Sequence, residues 1–242
     1  KAKIDETMGR AMEEQTGPRV VDSPLSHKSI RKLRNEIEQL ESRAGTRAGS
    51  VGSRFMDVVH MLEEMDYISE WTLTDKGEML AGIFHESDLL IVEVMNRGIF
   101  DNLSVYDLVA VLSTLVYEPR GGDSGGAPRW PNEQVRQRFK RIERVSEQVQ
   151  DIQRQRGLHQ HRAPNGGLAF ETAAWASGKP LSKILDPDLT PGDFVRSMRQ
   201  LIDLLRQIVT TTSNSSLRDT AESATRALDR GVVAAASGTS SR

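Results

Sequence analysis

The sequence of 242 residues contains no cysteine and few aromatic side chains, and it has no long apolar run. The absence of cysteine excludes disulfides, thiolate metal sites and cysteine nucleophiles. No segment approaches the roughly 18 apolar residues that a membrane-spanning helix needs, and no secretory signal is visible. We therefore expect no membrane partner and a cytoplasmic location.

No excess of charge of either sign is present. The 32 Lys and Arg residues are offset by 34 Asp and Glu residues, which gives a formal net charge of −2. Without a global basic field, any contact with nucleic acid has to come from a local stripe of cations. The chain also begins at Lys1 without a methionine, so we expect it to be a fragment of a longer protein.

The sequence motifs of nucleotide and metal chemistry are also missing. The glycine-rich segment 121–126 lacks the lysine of a phosphate-binding loop, and no apolar strand precedes it. His159 and His161 could bind a metal, but no cysteine or nearby acidic cluster completes a ligand set. The sequence therefore predicts no catalytic, cofactor or metal site, although a catalytic triad assembled in space is invisible at this level. Whether the chain is an enzyme stays open.

Apolar residues recur at helical spacing along most of the chain, with caps and breakers between the segments. The piece Trp71–Leu73 predicts a short strand, and Trp175 is expected to be a buried anchor between two helices. These patterns predict an all-α, multi-helix bundle with little or no sheet. The predicted helices cover 55–67, 78–84, 88–96, 105–117, 134–155, 168–177, 180–185, 192–208 and 217–235.

The N-terminal part has a different pattern. Within Ser29–Glu41, apolar residues recur at steps of three and four between charged residues, which predicts a short heptad-like helix. We expect residues 1–52 to be a stalk-like helical arm with a linker. Residues 53–236 then form the bundle, and 237–242 form a disordered tail.

The stretch 192–208 has a strong amphipathic pattern. Thr190, Pro191 and Asp193 predict a helix start: a hydroxyl cap, a proline in the first turn and an acid near the positive end of the helix dipole. Apolar residues at steps of three and four then predict one face packed on a core. They are Phe194, Val195, Met198, Leu201, Ile202, Leu205 and Ile208.

The opposite face of this helix carries guanidinium, amide and carboxylate groups. They belong to Arg196, Arg199, Gln200 and Asp203, followed by Arg206 and Gln207. Guanidinium groups suit phosphates, and glutamine suits bases or sugars. The same pattern fits a solvated face on a bundle helix, so the residue types alone leave both interpretations open.

Several segments together resemble the DSHCT domain. This domain lies at the C-terminal end of the DExH-box RNA helicases related to the exosome-associated and superkiller helicases. The segment Gly192-Asp-Phe-Val-Arg196 and the C-terminal segment Arg230-Gly-Val-Val-Ala234 are most similar to the actinobacterial, HelY-type branch. The resemblance extends over about 55–235. The matching segments are 73–83, 89–103, 108–118, 174–185, 192–205 and 230–234.

The resemblance implies a helical bundle packed beneath two RecA-like motor domains, which would hold ATP and Mg²⁺ in the parent protein. One helix of such a bundle lines the RNA channel and is known as the ratchet helix. By the resemblance this helix is 192–208, and Arg196, Arg199, Gln200 and Asp203 are its candidate contacts to single-stranded RNA or DNA. The implied function is that of a non-catalytic accessory domain of an ATP-dependent RNA helicase, with RNA-decay proteins as possible partners.

Two other functions are compatible with the pattern. A winged-helix DNA-binding regulator also has a helix like 55–67 followed by a short strand, although no clear second and third strand follow here. An α-helical protein-interaction scaffold, with the segment 29–41 as its docking arm and no role in nucleic-acid binding, also fits the helical pattern. Tight duplex DNA binding would indicate the regulator, and no binding would indicate the scaffold.

Overall fold

A computed structural model describes residues 51–119, 127–185 and 189–237. The contacts divide the chain into two units, 1–52 and 53–242, and nearly all of the described residues belong to the second. The predicted arm, its helix at Ser29–Glu41 and most of the predicted tail lie outside the described residues and stay predictions.

The regular secondary structure of the described residues is helical, apart from a small hairpin after the first helix. An all-α bundle is thereby confirmed. In chain order the elements are α1 (Val51–Glu64), β1 (Ile68–Ser69), β2 (Thr72–Leu73), α2 (Asp75–Ala81), α3 (Asp88–Asn96), α4 (Val105–Val116), α5 (Glu133–Gln155), α6 (Ala169–Ala176), a 3-10 turn (Leu181–Lys183), α7 (Pro191–Thr211), α8 (Ser215–Leu228) and α9 (Gly231–Ser237).

The hairpin is the only sheet within the described ranges. Its strands are antiparallel, with Ile68 opposite Leu73 and Ser69 opposite Thr72. The predicted short strand is therefore present at Thr72–Leu73, while Trp71 belongs to the turn. A winged-helix domain needs further strands for its wing, so the described residues do not support that alternative.

Helix α4 forms the centre of the bundle. Its residues 107–116 are all buried, and it packs against α5, α6, α7 and α8. The helix begins where the Ser104 hydroxyl accepts a hydrogen bond from the Asp107 backbone N–H at 3.2 Å. A helix that is apolar on most sides is expected at the centre of a bundle.

The α1 prediction was only partly right. Helix α1 spans Val51–Glu64 rather than 55–67, and Phe55 in its second turn is 52% exposed. The helix ends before Tyr67 because Asp66 adopts a positive φ of 61° and the Tyr67 N–H returns to the Leu62 carbonyl. The Tyr67 side chain then reaches Glu93 on α3 with a hydrogen bond of 2.9 Å.

The last predicted helix, 217–235, is in fact two helices. The break falls at Asp229–Arg230, and Gly231 opens α9 with a φ of 51°. The Arg230 guanidinium lies 3.6 Å from the Trp175 ring centroid and donates hydrogen bonds to the Trp175 and Lys179 carbonyls. This tertiary contact has no local signature in the sequence.

Trp175 is the buried anchor that the sequence predicted. It is 3% exposed, and its indole N–H donates to the Leu228 carbonyl of α8 at 3.0 Å. Its ring also packs edge-on against Phe194 of α7, with centroids 5.6 Å apart. One side chain thereby ties α6 to both α7 and α8. None of the described helices is long and apolar enough to cross a membrane.

Candidate nucleic-acid interface

Helix α7 is held firmly at its start and along one face. The Thr190 hydroxyl accepts from the Asp193 backbone N–H at 3.2 Å, which confirms the predicted cap. The helix runs to Thr211, almost one turn beyond the predicted end. Its buried residues are Phe194, Ser197, Met198, Leu201, Ile202, Leu204, Leu205 and Ile208.

The four predicted contact residues lie together on the outer side of α7. We call Arg196, Arg199, Gln200 and Asp203 the polar crest. Arg196, Gln200 and Asp203 are exposed and Arg199 is half-buried. Their spacing of three, one and three residues keeps them on adjacent turns of one helical face. The crest therefore faces away from the core of the bundle.

Two grooves flank the polar crest. The first, of about 420 Å³, lies between α7, the turn that joins α2 to α3, and the end of α4. The second, of about 640 Å³, lies between α7 and Asp229 at the end of α8. Arg196, Gln200 and Asp203 line both grooves, whereas Arg199 lines the second alone. The crest is thus a ridge between two depressions.

The two grooves differ in their charged groups. The second groove contains three arginines, among them Arg199 and Arg206, against two carboxylates. The first contains two arginines against three carboxylates. Its Arg162 is already bound to Glu86 at 3.2 Å and to Glu118 at 3.5 Å. The cationic groups that could meet a phosphate are therefore concentrated on the side of the second groove.

The arginines of α7 make weak contacts within their own helix. Arg196 lies 3.7 Å from Asp193, and Arg206 lies 3.4 Å from Asp203. Exposed pairs of this kind contribute about 0.2–1 kcal/mol. Arg199 has no hydrogen bond or ion pair to any residue in the described ranges. An anionic ligand could therefore engage these guanidinium groups at little cost.

His85 adds an uncharged polar group to the first groove. Burial lowers the pKa of this imidazole, and the neighbouring Arg162 adds to that effect against the opposing influence of Glu86. The ring is therefore neutral at neutral pH. Its Nδ1 accepts a hydrogen bond from the Ser87 backbone N–H at 3.0 Å, which leaves the proton on Nε2.

The sequence reasoning did not find the opposite wall of the first groove. Phe84 had been included as an apolar residue of a helix, but α2 ends at Ala81 and Phe84 is 79% exposed. Its backbone N–H donates to Gln207 of α7 at 2.7 Å across a sequence separation of 123 residues. Contacts at that separation leave no periodic signal in the sequence.

The candidate metal pair has a structural explanation. His161 is buried, and its ring nitrogens lie 2.9 Å from the Ser146 hydroxyl and 3.2 Å from the Gln153 amide oxygen, both on α5. His159 is exposed beside it. Within the described ranges no group of three or more His, Asp or Glu side chains could hold a metal ion.

A comparison with known proteins assigns the family. The sequence model of the DSHCT (NUC185) domain matches residues 70–236. Because that match covers more than half of the sequence, the chain belongs to the DSHCT domain family, as the resemblance implied.

Among curated proteins the chain is similar to helicases. It is 31% identical over 238 residues to a probable helicase HelY of Mycobacterium tuberculosis, an alignment that covers 92% of this chain and 26% of that protein. It is 28% identical over 138 residues to the human exosome RNA helicase MTR4, covering 55% and 13%, and 26% identical over 197 residues to the human superkiller complex protein 2, covering 79% and 16%. The chain thus spans about a quarter or less of these relatives.

Proposed function

We propose that this chain is the accessory helical domain of an ATP-dependent RNA helicase and that α7 contacts single-stranded nucleic acid through the polar crest. The observation that carries the proposal is the position of the crest, on an anchored helix between two grooves. The family assignment and the helicase relatives support it. The chain itself would perform no catalysis.

The physical argument concerns how a moving strand is held. A channel for single strands needs a few phosphate and stacking contacts rather than a large basic surface. The near-neutral charge of the chain is compatible with such contacts. The apolar face of α7 fixes the helix, so that Arg196 and Arg199 are presented about one turn apart without rearrangement.

The remaining partners follow from the length of the relatives. The chain spans only about a quarter of the HelY proteins, so RecA-like motor domains in the same protein would bind ATP and Mg²⁺ and would pack against this bundle. Two relatives are named for the exosome and the superkiller complex. By analogy with these relatives, we propose that the protein acts with RNA-decay proteins in the cytoplasm.

The test is fluorescence anisotropy of the 242-residue chain with a labelled single-stranded RNA at low salt. We expect Arg196→Ala combined with Arg199→Ala to weaken binding at least tenfold and to reduce its dependence on salt, because counterion release falls with each lost phosphate contact. The matched control is Lys140→Ala with Arg144→Ala on the exposed face of α5, which should change affinity less than twofold.

The same titration separates the other functions. Equal loss in both double variants would mean nonspecific attraction and would contradict the role of the crest. Tight binding of duplex DNA would indicate a DNA-binding regulator, and no binding of any nucleic acid would indicate a protein scaffold. In the longer helicase, unwinding and RNA-stimulated ATP hydrolysis should fall in the α7 variant.

A further inference from the structure

Phe84 is a large apolar side chain that the fold leaves in water. It is 79% exposed, whereas Ile83 and Ser87, on either side in the same turn, are almost fully buried. An isolated exposed phenylalanine needs no special explanation. This one, however, lines the first groove together with Arg196, Gln200 and Asp203 of the crest.

The turn that carries Phe84 is fixed to α7. The Phe84 N–H donates to the Gln207 side chain at 2.7 Å. Gly82 packs so closely on α7 that an added Cβ would lie 2.1 Å from Thr211 Cγ2. The exposed ring therefore has a rigid support, and a ligand that covers it would pay little of the cost of ordering a loop.

The surroundings of the ring favour a base over a phosphate. In the first groove the carboxylates of Glu86 and Glu118 are paired with Arg162. The uncharged groups there are the neutral imidazole of His85, next to Phe84, and the side-chain amide of Gln207 on α7. The arginines Arg199 and Arg206 lie on the other side of the crest. In this arrangement the second groove would attract the backbone of a strand that crosses the crest, and the first groove would accept its uncharged bases.

We propose that Phe84 is a base-stacking residue: a nucleic-acid strand that crosses the polar crest stacks a base on this ring while its phosphates follow the arginines of the second groove. The inference rests on the proposed function and extends it to how the strand is oriented. Stacking on an aromatic ring tolerates every base, because each base has a π-face. The contact is therefore compatible with a strand that moves through the site.

The experiment compares Phe84→Ala with the unaltered chain on two labelled strands, a single-stranded RNA and the same strand with abasic positions at its centre. We expect the substitution to weaken binding of the normal strand about five- to fiftyfold. Binding of the abasic strand should be equal in both proteins. The salt dependence should stay unchanged, in contrast to the arginine variant.

Two further variants isolate the ring. Phe55→Ala removes an exposed phenylalanine of α1 that lines neither groove, and it should leave both affinities unchanged. Phe84→Trp should retain binding, and its fluorescence should be quenched by the normal strand but not by the abasic one. Far-UV circular dichroism checks that each variant is folded.

The outcomes distinguish this inference from the proposed function. If the arginine variant weakens binding but Phe84→Ala behaves like the unaltered chain on both strands, the stacking role is wrong and the crest still binds. If Phe84→Ala weakens both strands equally, the ring does not act through a base and stacking is again wrong. If the unaltered chain binds neither strand, both proposals fail.

Discussion

Helices α5 and α7 are the longest in the bundle, and both combine a buried apolar stripe with several arginines. On α5, Arg138 donates to the Gly98 and Asp101 carbonyls, and Arg154 pairs with Asp151 at 2.7 Å. On α7, Arg199 has no such partner in the described part of the chain. Arg138 thus ties α5 to the backbone of residues 98–101, whereas Arg199 of α7 stays available.

The difference teaches that arginine content alone does not indicate a binding site. Neither groove beside α7 includes a residue of α5. The grooves exist because the turn before α3 and the end of α8 rise on either side of α7. An exposed cation becomes a candidate contact when neighbouring elements supply walls that can exclude water from a ligand.

The largest effect is expected where the two helices bury aromatic pairs. Phe194 of α7 is fully buried against Trp175, whereas Phe139 of α5 packs on the partly exposed Trp130. Phe194→Ala should lower the free energy of unfolding by about 3–5 kcal/mol, because it removes a fully buried ring and leaves a cavity. Phe139→Ala should lower the free energy of unfolding by at least about 1 kcal/mol less than Phe194→Ala does, as measured by urea denaturation. Equal losses would show that the two helices are anchored alike.

A smaller effect is expected from disturbing the wall beside α7. Gly82→Ala would place a methyl group against Thr211, and overpacking of this kind costs about 1–3 kcal/mol. Thr211→Ser removes the opposing methyl group and should restore most of the stability in the double variant. A double variant no more stable than Gly82→Ala would mean that the turn is not packed on α7 as described.

The arginines of the two helices should differ in their contribution to stability. Arg138→Ala removes hydrogen bonds to two carbonyls and should cost about 1–2 kcal/mol. Arg199→Ala should change the free energy of unfolding by less than about 0.5 kcal/mol. Chemical denaturation measures both losses. Equal losses of unfolding free energy in the two variants would contradict this prediction.

The last prediction concerns the pH dependence of stability, which should differ between the buried faces of α5 and α7. Burial lowers the pKa of His161, which packs on Ser146 and Gln153 of α5. In the unfolded chain a histidine titrates near its ordinary pKa of about 6.5, so on acidification the unfolded chain binds the proton first. The stability that the neutral, buried His161 contributes is therefore complete above about pH 6.5 and is lost as the pH falls below it. The buried stripe of α7 has no titratable group.

The measurement is the urea midpoint between pH 7.5 and 5 in the unaltered chain and in His161→Gln. The variant should lose less stability on acidification than the unaltered chain. His85→Gln serves as a second comparison, since burial also lowers the pKa of His85, at the groove beside α7. Parallel pH profiles for His161→Gln and the unaltered chain would contradict the assignment.

Much of the fold was predictable because its signals are local. The cap at Thr190 is where the sequence places it, and the predicted apolar stripe of α7 is largely buried. The errors fall where tertiary contacts prevail. Phe84 lies outside the helix that was predicted to include it, where its N–H bonds to Gln207, and the helix 217–235 is interrupted where Arg230 stacks on Trp175.

The sequence by itself determined most of the helical segments, which side of α7 is apolar and which polar side chains share its outer face, since capping and side-chain periodicity act over three or four residues. The tertiary structure alone decided that this face is a ridge between two grooves and that Phe84 stands opposite it. The physical reason is distance along the chain. Phe84 and Gln207 meet across 123 residues, and such a meeting depends on how all the intervening helices pack.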